Sequence, residues 1–548
     1  MHNNKPHPYL PTLCAQLEIG RIGRRDFLRT ATLLGLSAGA AYTLAGQAPR
    51  ADAAELPQGG RLRLGMRLID IASPHTYNWI WDSNIGRQVC EYLTKTGPDN
   101  ITRPYLLESW TPSDDLRTWT LTLRPGITWH SGRPLTAEDV IWNLRRLLDA
   151  ETGSSVLGLM KGYMLDEVTE GDGTTTRLWD ANAIEQLDDL TLRLNCKAPQ
   201  LAVPEHLFHY PCLMIDPEEG GAFAPGANGT GAFELVDYEI GKRAVLKARG
   251  DYWGDGPHVE TLEFVDLGDD PTGEIEAMAS QRLHGIDIAD VIQLDAFKLM
   301  PHLQMYEVVT ASTAVARGKV DQAPFDDPRV RKALKLAVDC AVIQQLTHGD
   351  HGLPAEHHHV SPVHPEYAEL PIMYRDVAAA KMLLAESGHP EGLDLGTIDC
   401  AASPSWQFNA VQALVEQWKE AGLRAKINLL PANEFWASWD QRPFAFTGWV
   451  HRPLGIMVLG LGYRSGVPWN ESGYANPEFD RLLLEAEGLL DIEQRREVMA
   501  KLERLMQEDG PIVQPLWRSE ITFMDKRVKG FNMHPSTYIF GNELAIES

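Results

Sequence analysis

Histidine is the first residue type whose spacing invites a chemical reading. His348, His351, His357, His358, His359 and His364 crowd one short stretch. Neutral imidazoles bind nickel, copper and zinc well, so the run raises metal capture. Adjacent histidines among Pro354, Pro362 and Pro365 lack the i, i+4 spacing that aims two rings at one ion, and the stretch predicts a solvated loop with no metal site. Gly35-Leu-Ser37-Ala-Gly39 fits a nucleophile elbow but lies in an apolar run near the N-terminus, where no strand leads into a helix. Gly226-Ala-Asn-Gly-Thr-Gly231 is loosely phosphate-binding in pattern, yet no strong apolar strand precedes it. Past residue 53 there is no further Gly-x-Ser-x-Gly, no His-Glu-x-x-His and no Walker loop. The chain therefore reads as a non-enzyme without a cofactor, and a secreted hydrolase with a triad drawn from distant positions stays as an alternative. Cys14, Cys90, Cys196, Cys212, Cys340 and Cys400 form no Cys-x-x-Cys pair. A Cys196–Cys212 bridge in an oxidising compartment and buried free thiols are both open.

The elements that must position such residues are clearest from Arg117 to Asp149. Trp119, Leu121 and Leu123 alternate with Thr118, Thr120 and Thr122, the period-two pattern of a strand with one buried face, and Pro125-Gly126 ends it. Ser131-Gly132 makes a second turn. Thr136 stands where an N-cap oxygen is needed, and Glu138 and Asp139 follow in the first turn, favourable at the positive end of a helix dipole. Val140, Leu144, Leu147 and Leu148 share one helical face. Further on, Leu395–Asp399, Ala425–Leu430 and Phe444–Val450 read as strands separated by helices, the order of a largely parallel sheet. A helix is predicted from Ile85 to Leu93, with the aromatic cluster Tyr77-Asn78-Trp79-Ile80-Trp81 in a loop before it. Residues 169–176 read as a polar hairpin.

The chain has 548 residues, too many for one ordinary core, and at 44% apolar composition it can bury more than one. Its formal charge of −25, from 75 acidic against 50 basic residues, excludes a basic nucleic-acid footprint. The basic charge concentrates at the start, where Arg24-Arg25-Asp26-Phe27-Leu28-Arg29 precedes a weakly apolar run from Thr30 to Gly46 and then Ala51-Asp52-Ala53. That order is the pattern of a twin-arginine signal over residues 1–53 with an A-x-A cleavage site. It predicts a periplasmic mature chain beginning near Ala54, with no membrane-spanning segment.

The stretch from Leu123 to Val140, Leu-Arg-Pro-Gly-Ile-Thr-Trp-His-Ser-Gly-Arg-Pro-Leu-Thr-Ala-Glu-Asp-Val, resembles the shared sequence of the extracytoplasmic solute-binding proteins, family 5, of peptide, opine and nickel ABC importers. Gly229-Thr-Gly-Ala-Phe233, Asp251-Tyr-Trp253, Pro324-Phe-Asp-Asp-Pro-Arg-Val-Arg-Lys-Ala-Leu334 and Asn476-Pro-Glu-Phe-Asp480 follow in that family's order. The resemblance implies an α/β, two-lobed, type II periplasmic-binding-protein-like fold with an extra subdomain. It divides the chain into lobe I at 54–90, the subdomain at 91–225, lobe I again at 226–310, lobe II at 311–510, and a C-terminal return to lobe I at 511–548. It also implies a monomer that captures a short peptide or other small molecule by hinge closure and delivers it to an inner-membrane ABC permease.

In peptide-binding members of that family, an aspartate three positions after a Gly-Trp pair meets the peptide's α-ammonium. Here the pair is Gly448-Trp449 and the third residue on is Arg452, within Trp449-Val-His451-Arg452. The reversed charge suits a carboxylate or phosphate, which a guanidinium grips with two parallel hydrogen bonds, so an opine-like or other anionic solute is the alternative to a peptide. The resemblance also turns Tyr77, Asn78 and Trp79 toward the ligand cleft. Trp406, Trp436, Trp439 and Trp469, with Trp449 and His451, complete the candidate walls, since flat aromatic faces accept varied groups. A core role for any of these aromatics is the competing reading.

Overall fold

A computed structural model describes residues 7–46, 56–170 and 173–547. Its backbone is organised by a twelve-stranded mixed sheet. One end of that sheet belongs to the first lobe, where Phe233–Glu239, Arg243–Ala248, Thr261–Val265, Arg61–Gly65 and Gly285–Ile286 lie side by side. The other end belongs to the second lobe and carries Phe444–Trp449, Leu393–Ala401 and Leu423–Leu430. Two long strands, Leu303–Gly318 and Leu516–Asp525, join them. They run antiparallel from Leu303 opposite Asp525 to Thr313 opposite Trp517, and their register shifts between Val309 and Ser312. A bulge of that kind bends and twists a strand locally, and here it falls at the crossing between the lobes.

The predicted second-lobe strands form as expected, with Leu393–Ala401 parallel to both of its neighbours. Phe444–Trp449, however, is antiparallel to the crossing strand Leu303–Gly318, which makes the sheet mixed. Beside the first lobe, Leu107–Pro112, Thr118–Leu123, Thr191–Asn195 and Ile184–Gln186 build a separate four-stranded antiparallel sheet. Trp119, Leu121 and Leu123 are buried on its inner face, as their alternation requires. The helix Ala137–Leu147 follows, and its start is a reciprocal capping box: the Thr136 hydroxyl accepts from the Asp139 N–H, and the Asp139 carboxylate accepts from the Thr136 N–H at 2.9 Å. A hairpin forms where expected, but its strands Leu165–Glu170 and Gly173–Leu178 extend through most of the predicted 169–176 loop; residues 171 and 172 lie outside the described residues. Gly229 is a turn that tolerates no side chain, because a Cβ there would sit 1.9 Å from the Val89 carbonyl oxygen.

Two expectations need correction. The helix predicted from Ile85 to Leu93 runs instead from Ile80 to Val89. Its start is set by Asp82, whose carboxylate accepts from the N–H groups of Asn78 and Trp79, so Ile80 and Trp81 are helical and only Tyr77 to Trp79 precede it. The histidine stretch is not solvated: His357, His358, His359 and His364 are buried, and a ring nitrogen of each pairs with a backbone or hydroxyl group. His357 Nδ1 accepts from the Gln514 N–H at 3.0 Å, His359 Nδ1 meets the Tyr463 hydroxyl at 2.6 Å, and His364 Nε2 meets the Arg452 carbonyl at 3.0 Å. Of the two cysteine alternatives left open, the free thiols hold: all six cysteines are unpaired, and Cys196 and Cys212 are buried.

At the N-terminus, the helices Leu10–Glu18, Arg24–Leu33 and Ala38–Leu44 pack on the body. Phe27 and Ala31 are buried, Arg29 Nε donates to the Asn100 carbonyl, and Gln16 donates to Asp491. Arg24 and Arg25 stay exposed at the start of the second helix. The Ala51-Asp52-Ala53 site and the expected mature start at Ala54 lie outside the described residues. No helix among the described residues is long and apolar enough to cross a membrane.

Candidate functional site

Between the lobes lies a cavity of about 310 Å³. Trp79 and Trp81 reach it from the first lobe, and Trp406, Trp436 and Trp449 reach it from the second. A second hollow of about 300 Å³ continues past Trp79, Trp81 and Trp436 to Tyr77 and Asn78. The indoles also meet one another across the gap, with Trp79 4.2 Å from Trp436 and 5.9 Å from Trp439 between ring centroids. Three hydrogen bonds tie the lobes at the same place: Trp469 Nε1 donates to Asn78 Oδ1 at 3.1 Å, and the Ser405 N–H and hydroxyl donate to Asp290 at 2.8 and 3.0 Å. The arrangement is a closed cleft whose walls come from both lobes.

The second-lobe wall is held from behind by a buried ion pair. Arg317 Nε donates to Glu471 at 2.7 Å, and its two other nitrogens donate to the carbonyls of Arg442 and Trp439. Glu471 also accepts from the Thr447 hydroxyl at 2.7 Å and from Trp449 Nε1 at 2.9 Å. The pair is almost fully enclosed, with side-chain exposures of 0% and 2%, so its charges are satisfied inside the protein and not by water. Trp439 and Trp449 are thereby fixed through one carboxylate–guanidinium unit, and Trp469 precedes that carboxylate by two residues.

Of the residues predicted from sequence, Trp79, Trp406, Trp436 and Trp449 line the large cavity. Tyr77 and Asn78 line its continuation, although the Tyr77 hydroxyl is committed to the Ile71 carbonyl. Trp439 and Trp469 line a small void with Arg452. Arg452 is not on the wall of the large cavity but lines that small void, which shares Trp79 and Trp449 with it. Only 4% exposed, it sits with its guanidinium 4.7 Å from the Tyr210 ring centroid and 5.7 Å from that of Trp469, and donates to the carbonyls of Val450 and His451. No carboxylate pairs with it among the described residues, and its Nε has no partner. His451 lines none of these hollows and acts as a strut: Nδ1 accepts from the Ala311 N–H and Nε2 meets Asn100 Oδ1. Among the described residues, no group of three histidines, cysteines or carboxylates is placed to hold a metal ion.

Sequence reasoning missed one face of the cavity altogether. Asp266, Asp269, Glu274, Asp287 and Asp290 bring carboxylates to it from the first lobe, and Arg67 and Arg518 bring the only cations among the described lining residues. Arg67 is ion-paired with Asp269, and Arg518 with Glu520. Burial, with the charge of Glu274 next, pushes the Asp287 carboxyl up to about 7, and burial also raises Glu274. The acidic pattern Asp266-Leu-Gly-Asp-Asp270 stood in the sequence, but nothing there indicated that a cleft would lie beside it.

Residues 102–455 match the family model described as bacterial extracellular solute-binding proteins, family 5 Middle. The chain belongs to this family. Among its relatives, the periplasmic oligopeptide-binding protein OppA of Haemophilus influenzae is 26% identical over 504 residues, covering 86% of this chain and 91% of that protein. The dipeptide-binding protein DppE of Bacillus subtilis is 25% identical over 472 residues, covering 82% of this chain and 85% of the relative. The solved structure of the Escherichia coli murein tripeptide binding protein MppA superposes with a TM-score of 0.79 at 19% identity, over 90% of this chain and 99% of that one. The family 5 protein thus has the two-lobed type II periplasmic-binding-protein fold, and its Trp-lined cleft occupies the place where the two lobes meet.

Proposed function

We propose that this family 5 protein is the substrate-binding component of an ABC importer, which captures a short peptide or peptide-like solute by lobe closure and hands it to an inner-membrane permease without altering it. The observation that carries the reading is the cavity walled by tryptophans from both lobes, because contacts available only when the lobes meet favour the closed state when a solute is bound. The peptide-binding relatives give the solute class its support. The periplasmic setting of the OppA relative, together with Arg24-Arg25 at an exposed helix start and the apolar run behind it, supports export of the chain by the twin-arginine route and residence in the periplasm. The lobe divisions at 90, 225, 310 and 510 and a monomeric mature form belong to the same reading.

The test is mass spectrometry of solute released from gently purified protein, with thermal shifts against the recovered compound. A free peptide recovered unchanged is the expected result, and a product of turnover would overturn it. A second reading, an opine-like or other anionic solute, is favoured by Arg452, whose buried charge no carboxylate neutralises among the described residues. In that case an anionic compound without a free ammonium is recovered, and Arg452→Ala abolishes its stabilising effect.

A further inference from the structure

The cleft carries a charge that nothing inside the described protein answers. Of the five carboxylates on the first-lobe wall, one holds a cation and two more are engaged by backbone N–H groups or by the second lobe. Asp269 holds Arg67, Asp266 accepts from the N–H groups of Leu68 and Gly268, and Asp290 accepts from the backbone and hydroxyl of Ser405. Asp287 and Glu274 remain. Asp287 accepts only neutral donors, among them Trp81 Nε1 at 3.0 Å, and Glu274 accepts from the Gln293 amide at 2.7 Å. Neither is in an ion pair among the described residues. Two carboxylates taken partly out of water without an ion-pair partner are costly: burial raises both, the charge of Glu274 adds to the effect on Asp287, and those of Asp266 and Asp290 add to the effect on Glu274, which Arg67 partly offsets.

The surroundings of this pair point to what would relieve it. Five indoles line the same cavity, and indole faces attract cations as well as apolar groups. Trp406 and Gln407, 2% and 3% exposed, also line it, and the indole N–H of one and the amide oxygen of the other have no protein partner among the described residues. Arg67 stacks over Trp81 at 5.3 Å and Arg518 over Trp406 at 4.8 Å, so two guanidiniums already use this aromatic surface, but they are committed to Asp269 and Glu520.

We propose that the solute carries a positively charged group, an ammonium or guanidinium such as a lysine or arginine side chain of a short peptide, and that Asp287 and Glu274 receive it beside the tryptophans of the cleft. This rests on the binding-protein reading and adds a substrate class to it. The recognition is distinct from the position of Arg452, which lines the small neighbouring void and not the large cavity. Charge selection comes from the first lobe and aromatic contact from both, so a cationic solute bridges the two surfaces that closure brings together.

The experiment is isothermal titration calorimetry of the protein, stripped of co-purified solute, with Ala-Lys-Ala, Ala-Ala-Ala, Ala-Glu-Ala and agmatine at neutral pH. Ala-Lys-Ala is expected to bind about ten-fold more tightly than Ala-Ala-Ala, with Ala-Glu-Ala weakest. Asp287→Asn and, independently, Glu274→Gln should each collapse the ratio between the lysine and alanine peptides. Equal affinities for the three tripeptides would overturn the cation proposal and leave the peptide reading standing. Binding of agmatine with all tripeptides silent would support the cation proposal and overturn the peptide reading. Preference for Ala-Glu-Ala, or silence from all four probes, would overturn the proposal. The ratios in the unsubstituted protein decide the matter even if one variant folds poorly.

Discussion

Replacing Glu471 by glutamine tests whether the buried ion pair positions the cleft. The side chain keeps its shape, but its charge disappears, and Arg317 is left as an uncompensated cation at 0% exposure. Three hydrogen bonds change character together, from Arg317 Nε, the Thr447 hydroxyl and Trp449 Nε1. Breaking one member of a buried pair costs about 3–5 kcal/mol, whereas replacing both members with apolar residues of similar volume is often near neutral. Glu471→Gln should therefore lose about 3 kcal/mol or more in urea unfolding followed by tryptophan fluorescence. The double variant Arg317→Met/Glu471→Leu should recover most of that loss, and the cycle built from the single variants should give a coupling well above 1 kcal/mol. Because Trp439 and Trp449 hang from this pair, near-ultraviolet circular dichroism should change in Glu471→Gln even under conditions where the protein stays folded. A loss below about 1 kcal/mol, with unchanged tryptophan signals, would refute the reasoning and reduce the pair to an ordinary surface-like contact.

Three further outcomes follow from the same geometry. Asp287 has a folded-state pKa raised to about 7, so it binds a proton more readily folded than unfolded and takes stability away as pH rises from about 4 through 7. Asp287→Asn should be more stable than the parent at pH 8 by ~2 kcal/mol, allowing for its partial exposure, and the gain should vanish near pH 4 in paired thermal melts. Thr136→Ala removes the hydroxyl half of the capping box and should cost about 1 kcal/mol in urea unfolding, with solute affinity unaltered. Replacing His357, His358 and His359 together by alanine should cost roughly 3 kcal/mol or more through lost packing and unpaired neighbours, and nickel should not raise the melting temperature of the parent.

What the sequence made legible was local and periodic. Trp119, Leu121 and Leu123 had to share a face because strand side chains alternate, and Thr136 had to cap because the first helical N–H groups need an acceptor. The long motif around Trp129 extended these local readings to a family, and hence to lobes, a crossing and a cleft. The failures share a different cause: each depended on what stood opposite in space. His357, His358 and His359 looked solvated because three polar rings in a proline-rich stretch normally are. They are buried because Gln514, Tyr463 and the crossing strands supply partners from more than a hundred residues away. Arg452 was the conspicuous charge in the expected binding position, yet its guanidinium turns back to Val450, His451 and Tyr210. The reverse holds for Asp287 and Glu274. In sequence they are two acids among 75, and only the fold removes their water, withholds a cation and sets five indoles around the same space. Charge at a binding site is therefore better judged by which groups the fold leaves unanswered than by which residue stands at a family position; Asp287 and Glu274 meet that criterion on the large cavity, and Arg452 meets it at the small void beside it.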